Sequence, residues 1–287
     1  MPVQTVAIVG GGTMGSGIAL AVAASSMRAT IIDINEEQLD AARLYHKKQL
    51  DRSVAKKRIT QDEADESQER ISYVSQMSKA SSADWAIEAA TENTEIKKSL
   101  FIQMHETFEK DIVLATNTSS ISITELASSV PAAADRIIGM HFFNPVPIMK
   151  LVEIIKGDKT SEETAEATIS LSESMGKTPI VANDFAGFVS NRVLMPMINE
   201  AFHAWEDGVA RPEDIDSIMK LGCAFPMGPL RLADYIGLDV CRDIMMVMYR
   251  GLGEDPKYLP NKKLVALVDS GNLGDKSGSG VYKYGER

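Results

Sequence analysis

Val3-Gln-Thr-Val-Ala-Ile-Val-Gly-Gly-Gly-Thr-Met-Gly15 is the stretch on which the fold turns, followed by an alanine-rich run to Met27 and a second apolar run, Ala29–Ile34. Val3–Val9 is short, apolar and rich in β-branched residues, and reads as a strand. The glycines end it, and the spacing from about Met14 to Met27 predicts a helix. Strand, helix and strand within about thirty residues make a βαβ unit, whose handedness fixes the strands as parallel. Gly10, Gly12 and Gly15 then serve, in turn, a tight turn, close approach of backbone to a pyrophosphate, and close packing of helix on strand. The first amides of the helix and the positive end of its dipole would hold the phosphates. A glycine turn with no ligand can give the same string. Asp33 separates the two readings: at the end of the second strand, a carboxylate with this spacing accepts hydrogen bonds from an adenosine ribose. It would also repel a 2′-phosphate, and Ile34-Asn-Glu-Glu37 carries no basic residue, so NAD rather than NADP is the expected cofactor.

Working outward, Trp85–Ala89, Ile112–Ala115, Ile137–Met140, Leu151–Ile155 and Pro179–Val181 read as further strands separated by helical segments. That alternation predicts an α/β fold: a Rossmann-type, mostly parallel sheet covered on both faces. Ser122-Ile-Thr-Glu125 and Thr160-Ser-Glu-Glu163 fit the capping box at helix starts. After Val181 the apolar spacing becomes helical, as in Val189, Val193, Met197 and Ala201, and Pro212 stands where a helix would begin, with Glu213 and Asp214 behind it. Further helices are expected around Ile215–Leu221, Leu230–Ile236, Leu238–Tyr249 and Lys262–Asp269. The boundary falls in Asn183-Asp-Phe-Ala-Gly187, giving a dinucleotide-binding domain over 1–184 and an all-helical domain over 185–287.

Composition agrees with this division. A chain of 287 residues suits two domains, and 44% apolar with 24% charged residues is ordinary for a globular protein. A net charge of −10 disfavours a general nucleic-acid binder. Cys223 and Cys241 lie in helix-like segments and imply no disulfide framework. His46, His105, His141 and His203 have no metal-ligand spacing, so no metal site is expected. The apolar stretch Ile18–Ala24 is too short to span a bilayer. It also lacks the basic flank of a signal peptide, because the first basic residue is Arg28. The expected compartment is the cytoplasm.

The catalytic candidates cluster at strand ends. Asn117-Thr-Ser-Ser120 follows one strand, and His141 ends another just before Phe142-Phe-Asn-Pro145. Open α/β sheets bind ligands at the carboxyl ends of their strands. Glu153 interrupts the apolar strand Leu151–Ile155, and a buried carboxylate is costly unless paired. An imidazole is a suitable partner, since a carboxylate fixes its tautomer and stabilises the imidazolium formed on proton uptake. Alcohol oxidation by NAD needs such a base, because hydride leaves readily only as the hydroxyl proton is withdrawn. Ser120 and Asn191 offer neutral hydrogen bonds to a substrate oxygen.

Arg43, Lys47, Lys48, Arg52, Lys56, Lys57 and Arg58 form a basic run, and Lys48, Arg52 and Lys56 share one helix face. Asp62, Glu63, Asp65, Glu66 and Glu69 follow it. Two readings stay open: a solvated helical hairpin with internal ion pairs, or a landing surface for a polyanion such as coenzyme A.

Taken together, Gly10-x-Gly12-Thr13-Met14-Gly15, Asn117-Thr-Ser-Ser120, Gly139-Met-His-Phe-Phe-Asn-Pro145, Lys150-Leu-Val-Glu153, Gly187-Phe-Val-Ser-Asn-Arg192 and Pro226-Met-Gly-Pro229 resemble the 3-hydroxyacyl-CoA dehydrogenase family over essentially the whole chain, most nearly its bacterial single-function 3-hydroxybutyryl-CoA branch. The resemblance implies His141 as base, with Glu153 orienting it and Ser120 and Asn191 on the substrate. It places Gly10, Gly12, Thr13, Met14, Gly15, Asp33, Glu92, Lys97, Asn144 and Lys276 against NAD, and Lys57 on coenzyme A. Leu50 stands where the family has a serine that also contacts coenzyme A. A homodimer formed through the C-terminal domain is implied, along with a helical hairpin inserted in the first domain. Activity on 3-hydroxyadipyl-CoA, an L-gulonate-type dehydrogenase and a non-catalytic NAD-binding protein are the rival readings; the intact set Ser120, His141, Glu153 and Asn191 argues against the last.

Overall fold

A computed structural model describes residues 3–285, and the chain divides between Asp184 and Phe185 into two compact units. The first runs β1 (Thr5–Val9), α1 (Thr13–Ala24), β2 (Arg28–Ile32), α2 (Glu36–Ala55), α3 (Gln61–Glu69), β3 (Ile71–Val74), β4 (Trp85–Glu88), α4 (Thr94–Thr107), β5 (Val113–Thr116), α5 (Ile123–Ala127), β6 (Ile137–Phe142), β7 (Leu151–Lys156), α6 (Glu162–Ser174) and β8 (Thr178–Asn183). The strands form one sheet in the order β3-β2-β1-β4-β5-β6-β7-β8. Every neighbouring pair is parallel except β6 and β7. The expected class, a Rossmann-type sheet with a helical hairpin insertion, is what the chain adopts.

The central strands are apolar on both faces because helices cover both, so β4, β5 and β6 are buried at every residue. Helix α1 is buried all the way from Gly15 to Ala23. Its glycines and alanines suit that position: small side chains let a helix lie close to β1 and β2 while the hairpin α2–α3 packs over it. His46 of α2 is fully buried there, with Nε2 2.8 Å from the Ser16 carbonyl and Nδ1 2.6 Å from the Tyr73 hydroxyl. Burial pushes its pKa down, so the imidazole is held neutral.

Three local features differ from expectation. Strand β3 is absent from the sequence reading; it exists because Ala29–Ile32 pair with Ile71–Val74. Thr160 is not the cap of α6. Its hydroxyl donates to the Ile137 carbonyl at 2.7 Å, and Ser161 caps the helix by accepting from the Thr164 amide at 3.1 Å. Ser122 does cap α5 through the Glu125 amide, but its hydroxyl donates to Asp184 rather than forming a reciprocal box. A full capping box occurs instead at Thr60 and Glu63, opening α3.

The second unit is helical: α7 (Ser190–Glu206), α8 (Pro212–Gly222), α9 (Pro229–Ile236), α10 (Leu238–Gly251) and α11 (Lys262–Asp269). Pro212 stands at the first position of α8, with Glu213 and Asp214 in its first turn, as read from the sequence. Met195, Phe202, Leu230, Cys241, Met245 and Met248 belong to its core, and burial raises the Cys241 thiol to about 12. Two buried aspartates organise the segment after α11. Asp216 accepts from the amides of Leu230 and Arg231 and from the Tyr282 hydroxyl. Asp234 accepts from the amides of Val281 and Tyr282 and from the Tyr284 hydroxyl. No helix among the described residues is long and apolar enough to cross a membrane, and no cluster of His, Cys, Asp or Glu among them could hold a metal ion.

Candidate active site

The glycine turn joins β1 to α1, and its residues divide by what surrounds them. Gly10 has φ +110, and a Cβ there would lie 2.6 Å from the Ala89 carbonyl oxygen. At Gly15 a Cβ would come within 1.9 Å of the Gly10 carbonyl oxygen. Both glycines therefore serve the protein's own packing. Gly12 differs: a Cβ built on it meets nothing within 4 Å. No side chain caps α1, whose first turn holds no acidic residue. Uncapped amides beside open space fit a pyrophosphate. Asp33 holds the turn's shape, its Oδ2 accepting from the Gly11 amide at 2.8 Å and its Oδ1 from the Asn35 amide at 2.9 Å. Gln38 Nε2 and Ser16 Oγ donate to the Gly11 carbonyl. Thr13 is exposed and Met14 half-buried at the start of α1.

At the carboxyl ends of β4 and β5 lies a buried polar cluster. Glu88, fully enclosed, accepts from the Ala90 amide at 2.8 Å, from Lys97 Nζ at 2.5 Å and from Thr116 Oγ1 at 2.7 Å. Lys97 is only 1% exposed. Its ammonium also lies 3.6 Å from Glu92, which is itself substantially exposed. An enclosed ion pair rarely repays its desolvation in stability alone. Glu92 Oε1 in turn gathers the hydroxyls of Thr118, Ser119 and Ser120 and the Ser119 amide. The expected NAD contact of Lys97 therefore lies inside a carboxylate cage rather than on an open surface.

His141 sits on β6 and Glu153 on β7, paired in register across the antiparallel ladder. His141 Nδ1 lies 2.7 Å from Glu153 Oε2, with the two residues 7% and 3% exposed. Phe143 packs its ring 4.5 Å from the imidazole. Asn117 ties the neighbouring loop to this strand end, its Oδ1 accepting from the Phe142 amide at 2.9 Å. Asn144 is exposed and precedes a cis peptide to Pro145.

Asn191 and Lys276 belong to the second unit. Asn191 is buried in the first turn of α7, and Lys276 forms an ion pair with Asp239 at 2.6 Å. Lys57 is exposed just past α2 with φ +55. Leu50 points into the core, so that position offers coenzyme A no polar contact. Arg43 pairs with Asp40 and covers the Tyr73 ring. Among the described residues no ion pair joins the basic run 47–58 to the acids of α3; Arg43 pairs within α2 and Glu66 with Arg70. Glu88 and Thr116, which enclose Lys97, and His46, buried on α2, are not singled out by the sequence. Glu88 carries a signal related to that of Glu153, a buried carboxylate in an otherwise apolar strand, here at its last residue.

A mostly parallel sheet with a phosphate-ready turn and an imidazole buried against a carboxylate at its carboxyl edge defines an NAD-dependent oxidoreductase. Residues 5–185 match the family model of the 3-hydroxyacyl-CoA dehydrogenase NAD binding domain, and residues 187–284 that of the 3-hydroxyacyl-CoA dehydrogenase C-terminal domain. A probable 3-hydroxybutyryl-CoA dehydrogenase of Bacillus subtilis is 48% identical over 287 residues, 100% of this chain and 99% of that protein. A 3-hydroxyadipyl-CoA dehydrogenase of Escherichia coli is 40% identical, covering 98% of this chain and 59% of that protein. The crystal structure of an (S)-3-hydroxybutyryl-CoA dehydrogenase from Ralstonia eutropha superposes with a TM-score of 0.95 at 44% identity, covering 99% of this chain and 100% of that one. The chain belongs to the 3-hydroxyacyl-CoA dehydrogenase family.

Proposed function

We propose that this protein interconverts (S)-3-hydroxybutyryl-CoA and acetoacetyl-CoA, with His141 as base in oxidation and as acid in reduction. The observation that carries the mechanism is the enclosed 2.7 Å contact between His141 Nδ1 and Glu153. Glu153 fixes the ring, so proton exchange with the substrate hydroxyl is assigned to Nε2. A positioned base is worth about 10²–10⁴ in rate. Ser120 and Asn191 hydrogen-bond the substrate oxygen and orient it. When bound, NAD supplies the hydride acceptor for oxidation and the hydride donor for reduction. Gly12, Thr13 and Met14 would hold its pyrophosphate on a turn shaped by Gly10 and Gly15, and Asp33 would receive the adenosine ribose. Glu92, Asn144 and Lys276 would serve the rest of the cofactor, with Lys97 enclosed behind Glu92. Lys57 and its exposed basic neighbours bind the phosphates of coenzyme A. The working form is a cytoplasmic homodimer assembled through residues 185–287.

The test is NADH consumption with acetoacetyl-CoA, followed by a panel of short, long and ω-carboxylated 3-ketoacyl thioesters. Highest kcat/KM on the four-carbon thioester is the expected outcome, and no turnover with any thioester would remove the proposal. The E. coli relative favours a second substrate reading, 3-hydroxyadipyl-CoA, which the ω-carboxylated member of the panel addresses.

A further inference from the structure

The hydroxyl of Ser120 lies 3.0 Å from Glu92 Oε1. A carboxylate only accepts, so in this contact the serine must donate. Its remaining lone pairs are then what it can offer to a substrate. An alcohol can donate to that oxygen; a ketone, which only accepts, cannot use it. Glu92 is crowded, however. The same Oε1 takes Thr118 Oγ1 at 2.7 Å and the Ser119 amide at 2.8 Å, with Ser119 Oγ at 3.0 Å. The Thr118 hydrogen is committed to Glu92, because Thr118 Oγ1 itself accepts from the amides of Ser120 and Ile121. Ser120 therefore holds one of the longer and more replaceable bonds to the carboxylate.

We infer that Glu92 is a positioning residue that sets the hydrogen-bond polarity of Ser120, making it an acceptor for the hydroxyl form of the substrate and a donor, at the cost of one long bond, for the ketone form. Lys97 supports this role from below, its ammonium 3.6 Å from Glu92 Oε2. In Glu92→Gln the Ser119 amide and the Thr118 hydroxyl, which can only donate here, keep the carbonyl oxygen at the Oε1 position, so Ser120 still finds an acceptor and its polarity is retained. In Glu92→Ala the acceptor is simply gone. Glu92→Ala should therefore move binding from alcohol toward ketone, and Glu92→Gln should not.

The inference rests on the proposed contact of Ser120 with the substrate oxygen, and the experiment separates the two. Dissociation constants are measured by calorimetry for the non-reacting pairs: 3-hydroxybutyryl-CoA with NADH, and acetoacetyl-CoA with NAD. The ratio of the alcohol constant to the ketone constant should rise about tenfold in Glu92→Ala, the scale of one neutral hydrogen bond, and stay near the native value in Glu92→Gln. Separate titration with NADH alone corrects for any change in cofactor affinity. On a Ser120→Ala background the same substitutions should leave the ratio where Ser120→Ala puts it. A ratio unmoved by Glu92→Ala, moved as far by Glu92→Gln, or moved equally without Ser120, overturns the inference while leaving the Ser120 contact intact. Unchanged constants in Ser120→Ala itself would overturn both. Glu92 is substantially exposed, so neither variant needs to disturb folding.

Discussion

His141 and Glu153 are register partners across the one antiparallel pairing of the sheet, and their Nδ1 and Oε2 atoms lie 2.7 Å apart. Directly opposed residues of an antiparallel pair share a face, with Cβ atoms about 5 Å apart. His141→Gln should lower kcat by about 10²–10⁴ and leave the NADH dissociation constant nearly unchanged. Glu153→Gln should also lower kcat at constant NADH affinity, since it removes the group that orients the ring. Steady-state rates and fluorescence titration with NADH check both. Near-normal turnover of His141→Gln would refute its role as base.

Gly11 is the glycine of the turn that the fold can spare. A Cβ there would touch Asp33 Oδ2, Gln38 Cγ and Ile31 Cγ2 at 3.4 Å, the near limit of ordinary contact. Its φ is not in the left-handed region. Gly11→Ala should therefore stabilise the protein by about 0.4–1 kcal/mol by restricting the unfolded chain, with NADH binding retained. Gly15→Ala should abolish NADH binding or folding, because its Cβ would collide with the backbone of Gly10. Urea midpoints and NADH titration of the two variants decide the matter.

Lys57 is exposed and has a left-handed backbone just past the end of α2. If it meets a phosphate of coenzyme A, Lys57→Ala should raise KM for the acyl-CoA, leave kcat close to normal and flatten the dependence of KM on salt. An unchanged KM with unchanged salt dependence would assign the basic helix a purely solvated role.

His46 gives the fold a pH dependence of defined sign. Burial lowers its pKa from the ordinary value of 6.5. Between that lowered value and about 6.5 the unfolded chain binds the proton and the folded chain does not, so stability falls as pH drops through this window. The contribution is intact above the window, and the loss stops growing below the folded-state value. Urea denaturation between pH 5 and 8 should show the slope in the native sequence, and His46→Gln should flatten it. Parallel slopes would mean that the imidazole contributes nothing to the acid limb.

What was legible in the sequence depended on how local its cause was. Helix α11 begins at Lys262 and ends at Asp269, as its spacing predicts, because apolar period and cap are near neighbours. Strand β3 carries strand formers in Ile71, Tyr73 and Val74, but its four residues are too few to stand out from a loop, and pairing with β2 makes them a strand. The choice of Ser161 over Thr160 as a cap is made by the Ile137 carbonyl, far away along the chain. The site divides in the same way. A carboxylate interrupting Leu151–Ile155 pointed to a partner for Glu153, and His141 was at hand. Glu88 carried a related mark, but its partner Lys97 lies on a helix whose lysines otherwise look solvated. The contact between Glu92 and Ser120 needed two loops to meet at the ends of β4 and β5, which no spacing encodes.

The two aspartates beneath residues 281–284 have a consequence for how the helical unit comes apart. Of the donors received by Asp216 and Asp234, four come from Val281, Tyr282 and Tyr284. Peeling away this short segment would strip Asp234 of the three donors described for it and leave Asp216 with the Leu230 and Arg231 amides alone. A protease nick just upstream of Val281 should therefore loosen α8 and α9 together, so these few residues act as the clasp of the helical unit.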